Sequence, residues 1–135
     1  MADIVEWLDT DSVGIDAIDQ DHKHLVLLAN ALLKSAFEGD KDKYLVQGMA
    51  ELIVFTQDHF SREEKYLAQV KTVDLAAHVA QHEKIVDELF EMNEKLRAGD
   101  LDIVAMSTFL MDWLYAHMRG SDQKAFNSLD EAAGS

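Results

Sequence analysis

The chain contains no cysteine, which excludes disulfides, thiolate zinc sites, iron–sulfur clusters and cysteine nucleophiles together. Any metal it holds must be bound through nitrogen and oxygen. Proline is also absent and glycine occurs only six times in 135 residues, so helices meet few internal breakers and each glycine becomes a candidate stop. Positive charge is scarce: 12 basic side chains against 26 acidic ones leave a formal net charge of -14. Such a surface repels nucleic-acid phosphates and anionic lipid, so neither is an expected partner, and acidic small molecules are poor ligands for the same reason. Long apolar runs are missing too, and none approaches the roughly 20 residues needed to span a bilayer. The opening "MADIVEWLD" lacks the basic-then-apolar pattern of a signal peptide. A cytoplasmic protein without membrane attachment is expected.

What is present is a hydrophobic share of 48%, enough for one substantial core in a single domain over residues 1–135. Four segments carry apolar residues at helical rather than strand spacing. The first, from about Ile18 to Glu38, aligns Ile18, His22, Leu25, Ala29, Leu32 and Ala36 before Gly39. A second, from about Lys41 to Val70, aligns Leu45, Met49, Leu52, Phe55, His59 and Glu63. The third begins near Asp74, repeats Leu75, His78, His82, Ile85, Leu89, Met92 and Leu96, and stops at Gly99. The fourth, from about Asp102 to Arg119, aligns Ile103, Met106, Leu110, Trp113, Leu114 and His117 and reaches Gly120. Connections of a few residues between them favour antiparallel neighbours, hence an all-α, up-down-up-down four-helix bundle. The bundle is expected over 18–120, after an ordered N-terminal arm at 1–17 and before a tail at 121–135 holding a short C-terminal helix.

All four apolar stripes contain histidine: His22, His59, His78 with His82, and His117. Only His24, two positions after His22, falls on another face. A single histidine on such a stripe is more often an ordinary core side chain than a ligand. Five on converging stripes point to a metal, and His59/Glu63 and His78/His82 have the i, i+4 spacing that brings two side chains to one point. Glu63 adds weight, because an ionised carboxylate in a bundle core costs several kcal/mol and no lysine or arginine shares its stripe. A cation would remove that cost. Asp122 supplies a second carboxylate, five positions after His117 and beyond Gly120, where the helix can bulge to redirect it.

Five imidazoles and two carboxylates exceed the needs of one metal but suit two that share bridges. With both carboxylates and one oxide or hydroxide bridging, histidines divided three and two leave one metal saturated and the other with an open position, fit for a diatomic ligand. Iron suits a mixed nitrogen and oxygen set and can supply electrons to dioxygen, which zinc cannot.

These residues resemble the bacterial hemerythrins. The family pattern, a tryptophan near the start, Ile-Asp and a histidine, H-F-x-x-E-E, H-x-x-x-H, and W-L-x-x-H followed five later by aspartate, is matched by Trp7, "IDQDH" at 18–22, "HFSREE" at 59–64, "HVAQH" at 78–82 and "WLYAHMRGSD" at 113–122. The resemblance covers residues 7–122 in order. It implies two irons bridged by oxide or hydroxide, with His78, His82 and His117 on the saturated iron, His22 and His59 on the open one, and Glu63 and Asp122 between them. It departs from the pattern at Met118, where isoleucine is expected. Phe60, Trp113, Leu114 and Met118 are the candidates for the wall of an oxygen pocket. The implied activity is reversible dioxygen binding for carriage, storage or sensing, by a non-enzyme. One alternative is the oxygen- or redox-sensing input of a longer signalling chain with an output domain. A di-iron oxidase is the least favoured, since the Glu-x-x-His motifs of ferritin-like sites are absent from the sequence. The net charge of -14 favours a monomer.

Overall fold

The computed structural model describes residues 5–39, 42–69 and 74–122, with the side chains of 42 and 120–122 outside that set. Four helices follow the four stripes: α1 (Asp16–Phe37), α2 (Asp42–Leu67), α3 (Leu75–Arg97) and α4 (Ile103–Ala116). Helix α4 passes directly into a π-helical turn, His117–Asp122. No strand occurs among the described residues. Helix α1 packs on α2 and α4, and α2 packs on α3, giving the antiparallel four-helix bundle expected from the stripes and short connections.

The helix ends have identifiable chemical causes. Asp74 and Asp102 cap α3 and α4, each carboxylate accepting a backbone N–H three residues on, from Ala77 at 3.0 Å and Ala105 at 3.1 Å. Gly39 and Gly99 adopt φ of 75° and 77° just beyond α1 and α3, the left-handed conformation that ends a helix and that only glycine enters without strain. Helix α1 begins at Asp16 rather than near residue 18, and α2 ends at Leu67 rather than near 70. Both differences lie beyond the last buried position of a stripe, where the apolar pattern no longer marks the helix. The expected C-terminal helix falls outside the described residues.

The core has two unequal parts. The larger collects Leu25, Ala29 and Leu33 of α1, Met49 and Leu52 of α2, Leu89 of α3, and Met106, Leu110 and Leu114 of α4, all with negligible exposure. Each such leucine contributes about 1.5–3 kcal/mol relative to an exposed one. The smaller, built on Val13, Ile18 and Leu67 with Ile15, Tyr66 and Leu75 packed against it, closes one end. His22 lies one turn after Ile18, Glu63 one turn before Leu67 and His78 one turn after Leu75. The histidine layer is therefore held between the two apolar clusters.

Over residues 5–15 the N-terminal arm is held by specific contacts rather than by a helix of its own, apart from one 3-10 turn at Asp9–Asp11. Val5 exchanges two hydrogen bonds with the Asn30 amide, 2.8 Å for Val5 N–H to Oδ1 and 2.7 Å for Nδ2–H to the Val5 carbonyl. The Glu6 N–H donates to the Tyr115 hydroxyl at 3.0 Å. Trp7 lies 6.5 Å from the His22 ring, centroid to centroid. Among the described residues, no helix is long and apolar enough to cross a membrane.

Candidate metal centre

The bundle brings together the five histidines and the glutamate singled out by their spacing. His22, His59, Glu63, His78, His82 and His117 are all buried, His22, His59 and Glu63 completely so. His24 is exposed, its ring resting 4.4 Å from that of Phe55. Among the described residues, two groups of side chains have ligand atoms within 4.8 Å of one another: His22, His59, Glu63 and His117 form one, and Glu63, His78 and His82 form the other. Glu63 belongs to both, as a bridging carboxylate must. His117 falls in the first group, whereas the sequence pattern assigns it with His78 and His82. Its ring lies between the two, 5.4 Å from His22, 5.5 Å from His59 and 5.4 Å from His82.

Glu63 is the hub. Its Oε1 lies 2.9 Å from His59 Nε2, 2.8 Å from His117 Nε2 and 3.6 Å from His82 Nε2, and its Oε2 lies 3.8 Å from His22 Nε2. Two of these imidazoles have a fixed proton. His59 Nδ1 is 3.0 Å from Asp21 Oδ2, and His82 Nδ1 is 3.0 Å from Glu64 Oε2. A carboxylate cannot donate, so Nδ1 carries the hydrogen in both rings. When neutral, His59 directs an Nε2 lone pair at Glu63 Oε1, so that without a proton or a metal ion the two acceptors face one another. A cation between them converts that repulsion into coordination, and the donor set, nitrogen-rich with a shared carboxylate, suits a mid-row divalent metal.

Electrostatics agree with this reading. Burial works to lower the pKa of His59, but the Glu63 charge and the hydrogen bonds to Asp21 and Glu63 outweigh it, and the net shift is upward. Positive charge is thus favoured where a metal would supply it. Asp21 is buried enough to be pushed up, yet its bonds to His59 and to Arg62 hold it down at about 2. The Arg62 guanidinium grips both Asp21 oxygens, at 2.7 and 3.0 Å, so the carboxylate that orients His59 is itself fixed.

Of the candidate pocket residues, Phe60, Trp113, Leu114 and Met118 are all buried. Phe60 stacks flat on His82 at 3.7 Å and meets His117 edge-on at 5.3 Å, and Trp113 lies 5.7 Å from His117. These rings cover the imidazoles with apolar surface. Leu114 and Met118 belong to the main core. Asp122 occupies the last position of the π-helical turn that starts at His117. In an α-helix a residue five positions on lies about 140° around the axis, whereas the i→i+5 bonding of a π turn returns it to the same side. The local bulge expected from the His117–Asp122 spacing is therefore present in the backbone.

Spacing within a helix does not disclose Asp21, Arg62 or Glu64. The available signal was chemical: a ligating imidazole gives its other N–H to a carboxylate or carbonyl, and an acid adjoins His22 at Asp21 and Glu63 at Glu64.

An all-α bundle with this cluster at its centre is a metal-binding four-helix bundle. Residues 13–129 match the family model of the hemerythrin HHE cation binding domain. A bacteriohemerythrin of Clostridium acetobutylicum is 32% identical over 123 residues, covering 87% of this chain and 95% of that protein. A hemerythrin-like protein of Naegleria gruberi is 30% identical over 118 residues, 87% of each chain. A crystal structure of a hemerythrin with a leucine-to-alanine substitution has the same fold, with a TM-score of 0.85 at 24% identity over 95% of this chain and 98% of that one. The chain belongs to the hemerythrin family.

Proposed function

We propose that the chain binds dioxygen reversibly at a di-iron centre held by His22, His59, Glu63, His78, His82, His117 and Asp122. The observation that carries the reading is the convergence of imidazole nitrogens from four helices on Glu63, whose two oxygens lie within 2.8–3.8 Å of His59, His117, His82 and His22. By the family pattern, His78, His82 and His117 would hold one iron and His22 and His59 the other, with Glu63 and Asp122 available to both. When bound, iron would supply the electrons that dioxygen binding requires. The chain's own residues set the conditions: Asp21 and Glu64 fix the tautomers of His59 and His82, while Phe60, Trp113, Leu114 and Met118 keep water and protons away. Neutral imidazoles with an apolar wall favour binding over turnover. On this reading the chain acts as a monomer in the cytoplasm, its net charge of -14 opposing self-association.

Two measurements test the proposal. Purified protein should hold two irons per chain and change its visible absorption reversibly between reduced anaerobic and aerated states. One metal per chain, or zinc alone, would sink the di-iron reading. Separately, His22→Ala should abolish the oxygenated spectrum, because a ligand of the open iron is lost. His24→Ala, at an exposed ring on another face, should leave it nearly unchanged. Equal damage from both substitutions would contradict the assignment of His22.

A further inference from the structure

The π-helical turn His117–Asp122 is anchored from outside the bundle. Its third residue, Arg119, reaches the arm, where its Nε donates to Asp11 Oδ1 at 2.6 Å and its Nη2 to Asp11 Oδ2 at 3.2 Å. Asp11 is 1% exposed, although 108 residues separate it from Arg119. The same carboxylate accepts the Leu8 N–H at 2.8 Å, which closes the 3-10 turn around it. Burial works to raise the Asp11 pKa, and the Arg119 hydrogen bond and charge together with the Leu8 N–H bring it below its ordinary value. The guanidinium also lies 4.1 Å over the Tyr115 ring, whose hydroxyl accepts the Glu6 N–H at 3.0 Å. A third bond, from Nη2 to the Glu6 carbonyl at 3.4 Å, completes the attachment.

We propose that Asp11 and Arg119 are positioning residues for the metal centre: their ion pair uses the N-terminal arm as a clamp that holds the π register of residues 117–122. This inference rests on the reading of the centre as a metal site.

The physical reason is the instability of the turn itself. π-helical turns are rare, occur mostly as single turns and collect at functional sites, so an external contact has to favour one over continued α-helix. Reversion to α geometry would rotate every later residue by about 100° and carry position 122 away from the side of His117. Arg119 lies between these two positions, and among the described residues its hydrogen bonds, to Asp11 and to the Glu6 carbonyl, are made on the arm. The fork matters as well as the charge. Two parallel N–H donors fix the guanidinium plane over Tyr115, which an ammonium group cannot do.

The test uses the full chain and the variants Asp11→Asn and Arg119→Lys. In iron-loaded protein, Asp11→Asn is expected to release iron to an excess of chelator at least about tenfold faster, within the 10–100-fold range typical of lost outer contacts at metal sites. Arg119→Lys, which keeps the charge but loses the fork, should fall between it and the parent. In metal-free protein, amide hydrogen exchange should accelerate at 117–122 and in the arm while α2 and α3 keep their protection. Unchanged release and unchanged exchange at 117–122 would overturn the clamp, and so would acceleration spread evenly over all four helices, which marks general destabilisation. Should the parent take up no iron, the metal reading fails, and exchange at 117–122 alone then decides whether the arm holds the turn.

Discussion

Glu63→Gln is expected to lose iron while leaving an apo bundle that is at least as stable as its parent at neutral pH. The substitution keeps the shape of a side chain whose Oε1 faces His59 Nε2 at 2.9 Å and His117 Nε2 at 2.8 Å, but removes the charge and most of its capacity to bridge. Outer partners of metal ligands cost about 10–100-fold in affinity when removed, so loss of a side chain that belongs to both ligand groups among the described residues should cost on the order of a hundredfold or more. Metal analysis after dialysis against a weak chelator measures this directly. Stability without metal is the opposite case, because a fully buried carboxylate is replaced by a neutral amide.

The pH dependence gives that comparison a sign. In the metal-free parent the pKa of His59 is raised above its ordinary 6.5; burial opposes this, and the Glu63 charge with the hydrogen bonds to Asp21 and Glu63 prevails. A group raised in the folded state adds stability that is fully present below its unfolded pKa and is lost as pH rises through its folded pKa. The Glu63–imidazolium attraction is therefore present at about pH 5 and gone at high pH, where the carboxylate faces lone pairs. Thermal unfolding of the two apo proteins should show little difference at about pH 5. At a pH above the folded pKa of His59 the variant should be ahead by roughly 1–2 kcal/mol, a rise in Tm of roughly 3–8 °C for a domain of this size. A less stable apo variant there would mean that Glu63 serves the fold rather than a metal.

The residues that defined the fold in the sequence were those whose periodicity reports burial. His22, His59, His78, His82 and His117 were placed on core-facing stripes by spacing alone, and all five are buried. Gly39 and Gly99 marked helix ends because their conformations are costly for other residues, and both have positive φ. Periodicity assigns a face, however, and does not say which side-chain tips meet across the bundle. Asp21 and Arg62, 41 positions apart, or Glu64 and His82, 18 apart, become partners only once α1, α2 and α3 are packed. Asp11 was still less visible: it lies in an arm with no helical period, and its partner Arg119 is at the other end of the chain. The start of α1 at Asp16 escaped for a related reason, since Asp16 and Ala17 are exposed and leave no apolar trace.

Leu114→Ala is expected to keep the metal and shorten the life of the oxygenated protein. Leu114 is completely buried in the main core, one turn before His117, and its carbonyl accepts the His117 N–H. Side chains on a helix lean over the turn that precedes them, so the His117 ring leans back toward the turn that carries Leu114, three residues before it. Truncation removes the volume of several methyl groups and costs about 2–5 kcal/mol of stability, depending on how far the site collapses. The ligands themselves are untouched, so iron content should remain at two per chain. What changes is access, since an apolar layer that excludes water also excludes the proton that drives irreversible oxidation. Stopped-flow mixing of reduced protein with oxygen should show the oxygenated spectrum forming as in the parent and then decaying several-fold faster to the oxidised form. An unchanged decay in a variant shown to be folded and iron-loaded would confine Leu114 to core packing and leave Phe60, Trp113 and Met118 as the wall that protects the site.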